Sequence, residues 1–198
     1  MSNNIYPNWF DMVARDNFTR YLLPEAGKDH YKALQIGAFV GHASRWLCKY
    51  ILTGKGAMLT DVDTWQGSDE EAHSKWDWND VYNAYIENLY PYHFRRVNHH
   101  RLTSDVFFDN LSGLQYRPQY DFAYIDGDHT AEQVYRDGLR AWRYLKVGGI
   151  LAFDDYEWRE SFDPALSPYY GVNMFLEATD GEWKMLHKGY QVWLTKTS

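Results

Sequence analysis

Apolar positions along this chain fall into two alternating rhythms. Compact apolar runs read as strands at KALQIGA (32–38), AMLTDVD (57–63), a segment near 96–102, DFAYID (121–126) and ILAFDD (150–155). Between them lie stretches with helical spacing: 9–23, stopped by Pro24; HASRWLCKYIL (42–52), with Ala43, Trp46, Leu47, Tyr50 and Ile51 on one face and Gly54 past its end; 79–90, closed by Pro91; and 105–114. Thr130 and Gln133 form a T-x-x-Q capping box for a further helix whose stripe is Val134, Gly138, Ala141, Trp142 and Leu145, ended by Gly148 and Gly149. A helix over 169–178 and two strands, EWKML and QVWLTK, joined by a hairpin around LHKGY, close the chain.

Strand and helix therefore alternate until a final hairpin, which predicts a mostly parallel, doubly wound sheet with helices on both faces. No Pro/Gly/Ser-rich linker, repeat or low-complexity run divides the 198 residues, so one domain is expected over 1–198, with a helical extension at 1–31 and a lid or acceptor segment at 64–92. In such a sheet ligands bind beyond the carboxyl ends of the strands. Charge gathers there: Asp63 after the second strand, Ser104 and Asp105 after the third, Asp126 and Asp128 after the fourth, Asp154 and Asp155 after the fifth.

Composition narrows the chemistry. A formal net charge of −7 disfavours duplex nucleic acid, which is bound by neutralising phosphates, and leaves small molecules as the expected partners. The N-terminus has no signal-peptide pattern and no window approaches a membrane span, so a soluble, cytoplasmic protein is expected. The single cysteine, Cys48, permits neither an internal disulfide nor a Cys-based zinc site and reads as packing. In the basic patch HFRRVNHHRL (93–102), His99 and His100 are neighbours on a strand and point to opposite faces, so a solvated edge is the expected reading, with contact to an anionic substrate as the alternative.

The turn LQIGAFVGHAS places Gly37 and Gly41 between a strand and a helix, allowing close backbone approach, but Phe39 fills the middle glycine position of the dinucleotide pattern. A nucleoside without phosphates fits better than a dinucleotide. An acid about 20 residues further on could accept its ribose hydroxyls; Asp61 and Asp63 both qualify, and Asp63 stands at the strand tip.

LQIGAFVGHAS, DVDTW and YIDGDHTAEQVYRDGLRAWRYLKVGGILAFDDY together resemble the class I S-adenosylmethionine-dependent methyltransferases, in particular the small O-methyltransferase-like group of macrocin and catechol type, over about 32–178. The resemblance implies a Rossmann-like seven-stranded sheet of order 3-2-1-4-5-7-6 with the last strand antiparallel. It implies that Gly37, Ala38 and Gly41 line the methionine end of S-adenosyl-L-methionine, Asp63 its ribose, and Ser104 with Asp105 its adenine, with Asp126 at the border of the cofactor. Gln35 departs from the acid that many relatives carry before the turn. The metal-dependent members further imply that Asp126, Asp154 and Asp155 hold one divalent cation, and an oxygen-only set suits Mg2+, Mn2+ or Ca2+. The bland alternative is that Asp128 caps the helix and that Asp154 or Asp155 is solvated. The catechol-type relatives place their base at the position of His129, and the macrocin-like relatives carry an acid at that of Asp128, so both are candidates for the proton acceptor.

Two further features complete the picture. Asp137 lies beside the apolar stripe of its helix and reads as a structural acid. The stretch DTWQGSDEEAHSKWDWNDVYNAY reads as a lid with Trp65, Trp76 and Trp78 as stacking candidates for a sugar or aromatic ring, or else as a surface helix or a subunit contact in a homo-oligomer. The expected function is transfer of a methyl group to a hydroxyl of a small molecule. The alternatives are a non-catalytic cofactor-binding or assembly protein retaining the fold, and a nucleotide-binding oxidoreductase.

Overall fold

The computed structural model describes residues 6–67, 74–92, 96–112, 117–158 and 163–198. Its strands are β1 Lys32–Ile36, β2 Met58–Asp63, β3 Val97–Arg101, β4 Tyr120–Ile125, β5 Leu145–Phe153, β6 Trp183–Lys188 and β7 Val192–Lys196. They form one sheet in the order β3-β2-β1-β4-β5-β7-β6. The first five are parallel, and β7 runs antiparallel to both β5 and β6. The helices are α1 Arg15–Leu22, α2 His42–Trp46, α3 Trp78–Leu89, α4 Ser104–Ser112, α5 Ala131–Tyr144 and α6 Pro168–Ala178. Wider π turns lengthen α1 at its front, over Phe10–Ala14, and α2 at its back, over Leu47–Ile51. No helix among the described residues is long and apolar enough to cross a membrane.

Strand alternation sorts the core into two layers. From β4, Phe122 and Tyr124 face α1, α2 and α3, whereas Ala123 and Ile125 face the layer of α4, α5 and α6. Phe18 of α1 is fully buried, its ring 4.9 Å from Tyr124, 5.2 Å from Trp193 and 5.6 Å from Phe122. The N-terminal extension is thus built into the core rather than appended to it. Cys48 is fully buried, and burial pushes its thiol pKa up, in keeping with a packing role.

Two local expectations at α5 are corrected. Gly148 and Gly149 do not end this helix: it stops at Tyr144, Leu145 already begins β5, and the glycines lie in an irregularity where pairing with β4 jumps from Leu145 to Ile150. Gly148 takes the left-handed φ of +84° that this looped-out stretch requires. The capping box is only half made. Thr130 Oγ1 accepts the Gln133 N–H at 3.4 Å, but the Thr130 N–H is taken by Asp128 Oδ1 at 2.7 Å, and the Gln133 amide donates instead to Ser104 and Asp137. At the sheet edge, His99 bonds Tyr82 Oη at 2.8 Å while His100 lies 5.2 Å from the Phe107 ring; the two histidines serve opposite faces, and residues 93–95 of that patch lie outside the described residues.

Candidate active site

The carboxyl ends of β1, β2, β4 and β5 meet in one region. Gly37 follows β1 at φ +83°, and a Cβ there would fall 1.7 Å from the Asp126 carbonyl oxygen, so only glycine lets the β1 turn touch the end of β4. The turn is held from β2. Asp63 Oδ2 accepts the N–H groups of Ala38 (2.7 Å) and Phe39 (2.9 Å), and its Oδ1 accepts that of Trp65 (2.7 Å). Phe39 sits at φ +49° and Gly41, just before α2, at φ +79°. Gln35 is buried beneath this turn; its amide donates to the Gly37 carbonyl at 2.7 Å, and its Oε1 accepts from Ser44 at 3.3 Å. An uncharged side chain suits that place because it can supply a donor where a carboxylate has none.

Beyond β4 and β5, Asp126 and Asp155 are crowded together with His129. Ligand atoms of Asp126, His129 and Asp155 all lie within 4.8 Å of one another, and His129 Nε2 is 3.1 Å from Asp155 Oδ2. Burial, then the charges of Asp154 and Asp155, push the Asp126 pKa well above the carboxylate range. Asp155 is presented by a backbone at φ +56°, a conformation that aspartate tolerates better than most residues. Its Oδ1 accepts from the Tyr190 hydroxyl at 2.7 Å, and the His129 ring lies 4.8 Å from that of Trp158.

Asp154 is turned away from this group. It is buried, hydrogen-bonded to the Tyr124 hydroxyl, and its Oδ1 accepts from Gln191 Nε2 (3.1 Å) and from the Asp155 N–H (2.9 Å). Burial and the neighbouring Asp155 charge raise its pKa to about 7. Of the three acids expected to bind metal, the structure therefore brings two together and puts His129 in the third place. The reason is local: the Tyr124 hydroxyl and the Gln191 amide converge on the position that Asp154 reaches.

The remaining expected residues divide similarly. Asp61 is fully buried, donated to by the Tyr85 hydroxyl at 2.8 Å, and faces no ligand space; burial raises its pKa to about 7, tempered by Tyr85 and Ser44. Ser104 Oγ accepts from Gln133 at 3.0 Å, while the Asp105 carboxylate pairs with Arg136 (2.8 Å) and Arg140 (3.2 Å) of α5. Asp128 is exposed, with one oxygen on the Thr130 N–H. Asp137 is buried and bonded to Gln133 at 3.0 Å; burial raises its pKa to about 6. Trp65 is fully buried, its Nε1–H donating to the Phe39 carbonyl at 2.8 Å, so it holds the turn and has no face to offer an acceptor. Residues 68–73 of the expected lid lie outside the described residues.

Sequence reading missed an aromatic roof over the glycine turn. Trp9 lies 5.1 Å from Phe39 and 5.7 Å from Trp76; Tyr6 reaches both Phe39 (5.8 Å) and Trp76 (6.0 Å); and Trp78 is 6.0 Å from Trp76. Below it a cavity of about 50 Å³ is lined by Trp9, Gln35, Ala38, Phe39, His42 and Asp126, among others. That is smaller than the roughly 300 Å³ at the low end of ordinary small-molecule pockets. The only signal in the chain was the aromatic content of its first ten residues. Tyr190 and Gln191, also missed, come from the closing hairpin, and nothing in their own neighbourhood marks them.

A 3-2-1-4-5-7-6 sheet with an antiparallel last strand, a glycine turn after β1 and acids after β4 and β5 defines a Rossmann-like methyltransferase fold. A family model described as "Methyltransferase domain" matches residues 34–156, and the chain belongs to that family. Similar solved structures include the O-methyltransferase TomG from Streptomyces achromogenes, involved in tomaymycin synthesis and in complex with SAM (16% identity, TM-score 0.63, covering 92% of this chain and 77% of that one). Others are the O-methyltransferase from Bacillus cereus in complex with SAH (15%, 0.59, 96% and 92%) and the methyltransferase MycE of the mycinamycin pathway in complex with Mg, SAH and mycinamycin VI (13%, 0.62, 96% and 50%). At such identities the likeness is one of fold. No curated protein sequence matches the chain.

Proposed function

We propose that this protein transfers a methyl group from S-adenosylmethionine to a hydroxyl of a small molecule, a saccharide or a diol-bearing natural product, with a divalent cation at the ends of β4 and β5. The observation that carries this reading is the meeting of the two halves of the site: the cavity that touches Ala38 and Phe39 of the glycine turn also touches Asp126 of the acid cluster. The cofactor-bound O-methyltransferases that share the fold, and the magnesium bound to MycE, are in keeping with it.

Each residue then has a task. Gly37 and Gly41 give the turn after β1 its shape, packing against the Asp126 carbonyl and against Leu89 and Tyr85 respectively, and the backbone held between them would face the methionine end of the cofactor. Asp63, already fixing the turn through three N–H groups, retains outer lone pairs for ribose hydroxyls. Ser104, on the neighbouring strand end, faces the adenine; Asp105, committed to two arginines, is the less suited of that pair. Trp76 and Trp78, both half-buried in the roof, offer stacking surfaces for the acceptor. Asp126 and Asp155 supply hard oxygen donors that suit Mg2+ or Mn2+, and the imidazole of His129 shifts the preference of the set from Mg2+ toward Mn2+. A bound cation would polarise the acceptor hydroxyl and ease loss of its proton.

His129 is the proton acceptor in this reading, because its Nε2 faces the acid cluster, whereas Asp128 is exposed and one of its oxygens is taken by the N–H of Thr130, the residue that caps α5. The convergence of His129 with Asp126 and Asp155 favours a second role, as a ligand to the cation. His129→Ala separates the two: a lost base lowers turnover with Mn2+ affinity intact, and a lost ligand lowers both.

The reading as a whole is tested by calorimetry. S-adenosylhomocysteine should bind and raise the melting temperature, whereas NAD should do neither. Absence of binding by S-adenosylmethionine and S-adenosylhomocysteine alike would remove its basis.

A further inference from the structure

The closing hairpin sets two side chains against the two adjacent acids after β5. Strand β7 runs antiparallel to β5, and the last rung of their ladder pairs Phe153 with Val192. Continued past that rung, the same register sets Asp154 opposite Gln191 and Asp155 opposite Tyr190. Directly opposed residues of an antiparallel pair are the ones whose side chains meet. Both pairs are hydrogen bonded: Gln191 Nε2 donates to Asp154 Oδ1 at 3.1 Å, and the Tyr190 hydroxyl donates to Asp155 Oδ1 at 2.7 Å. The first bond lies in the core. The second lies beside the acid cluster, where Tyr190 is half-buried.

Asp155 is a residue that has to be held. At φ +56° its backbone occupies a region where a side chain other than glycine persists only when its surroundings fix it. The main chain is fixed on both sides, because the Asp155 N–H donates to Asp154 Oδ1 at 2.9 Å and its carbonyl accepts the Trp158 N–H at 3.0 Å. Those bonds place the Cα and leave the direction of the carboxylate open. Tyr190 supplies the direction. Its own backbone is tied to the same loop, the Tyr156 N–H donating to the Tyr190 carbonyl at 2.8 Å. A phenol carries its proton at neutral pH, so it is the donor to Asp155. With Oδ1 taken, Oδ2 is the oxygen turned to His129 Nε2, 3.1 Å away. Tyr190, Asp155 and His129 thus form a continuous array of hydroxyl, carboxylate and imidazole. A carboxylate beside an imidazole sets the ring's orientation, and a donor on its other oxygen sets its own.

We propose that Tyr190 is a positioning residue: by holding Asp155 Oδ1 it aims Oδ2 at His129 and so fixes the direction of the imidazole. The task given to His129 rests on the methyl-transfer reading above, whereas the array does not. Nitrogen-15 NMR of the His129 ring, identified by the signals lost in His129→Gln, reads the array in the whole protein without metal or cofactor. Tyr190→Phe keeps the aromatic ring and loses only the hydroxyl; it should shift the Nε2 signal, with the melting temperature and the affinity for S-adenosylhomocysteine as in the parent. Asp155→Ala should shift that signal at least as far, and Tyr190→Phe added to it should shift it no further, because Tyr190 acts through Asp155. The proposal is overturned if Tyr190→Phe leaves the His129 signals in place, if the two substitutions shift them additively, or if the shift comes only with a fall in melting temperature. Failure of the parent to bind S-adenosylhomocysteine would instead remove the methyl-transfer reading, and the ring signals would still decide the role of Tyr190.

Discussion

Acids stand at the tips of both β2 and β5, at equivalent heights in the same sheet, and their circumstances differ. Asp63 is met by three backbone N–H groups, all supplied by loops that wrap around it. Asp126 and Asp155 instead crowd one another and His129, and burial with the charges of Asp154 and Asp155 drives the Asp126 pKa up, while Asp154 between them is held by three donors of its own. A carboxylate saturated with donors organises the backbone around it. A group of carboxylates short of donors is a place for a proton or a cation. What a strand-end acid does is decided by how many N–H groups surround it.

If the crowded end performs chemistry and the saturated end only holds the turn, substitutions at the two should differ in kind. The largest effect is expected at His129: alanine there should lower turnover by roughly 10²-fold or more, with S-adenosylhomocysteine affinity unchanged, as measured in a coupled methyl-transfer assay. Parent-like turnover in that variant would move the base elsewhere, Asp128 first.

The contrast extends to neighbours in sequence. Asp155→Ala should abolish Mn2+ binding read by electron paramagnetic resonance, whereas Asp154→Asn should retain most of it and instead lower the melting temperature, because its bonds to Tyr124 and Gln191 are internal. Equal loss of Mn2+ in both would return Asp154 to the metal site. At the saturated end, Asp63→Ala strands three donors and should reduce stability by about 1 to 3 kcal/mol, together with loss of the S-adenosylhomocysteine shift. A fully stable Asp63→Ala would show that the turn needs no such anchor.

A smaller effect concerns Asp61, two residues before Asp63 on β2. Its folded pKa of about 7 lies above the unfolded value of about 3.9, so the folded chain holds a proton that the unfolded chain has released. Stability from this group is full below pH 4 and declines as pH rises toward 7. Asp61→Asn should therefore flatten the dependence of melting temperature on pH across that window, and an unchanged slope would assign it to Asp126, Asp137 and Asp154. Smallest of all, Asp128→Asn should leave turnover near the parent value, since an asparagine oxygen can accept the Thr130 N–H in the same turn while Thr130 remains the cap.

Much of this was legible in the chain. Period and punctuation located the strands of the sheet, and alternation of strand and helix implied that it is doubly wound, because both signals are local; the strand order followed only from the family resemblance. The glycine turn and the acids after β4 and β5 were legible too, since topology puts strand ends together whatever the details. Tertiary structure alone decided the orientation of each acid. Asp154 and Asp155 are adjacent, yet only the arrival of Tyr124 and Gln191 from other strands draws the first inward, while a left-handed backbone turns the second toward His129. Trp65 read as a stacking face and proved to be a strut for the same reason: its Phe39 partner lies 26 residues away in sequence. The roof of Tyr6 and Trp9 over Phe39 arises from residues distant along the chain. Sequence fixes which groups are available at each strand end, through periodicity and side-chain chemistry. Their hydrogen-bond partners, and hence their charge and direction, depend on contacts that exist only once the sheet has closed.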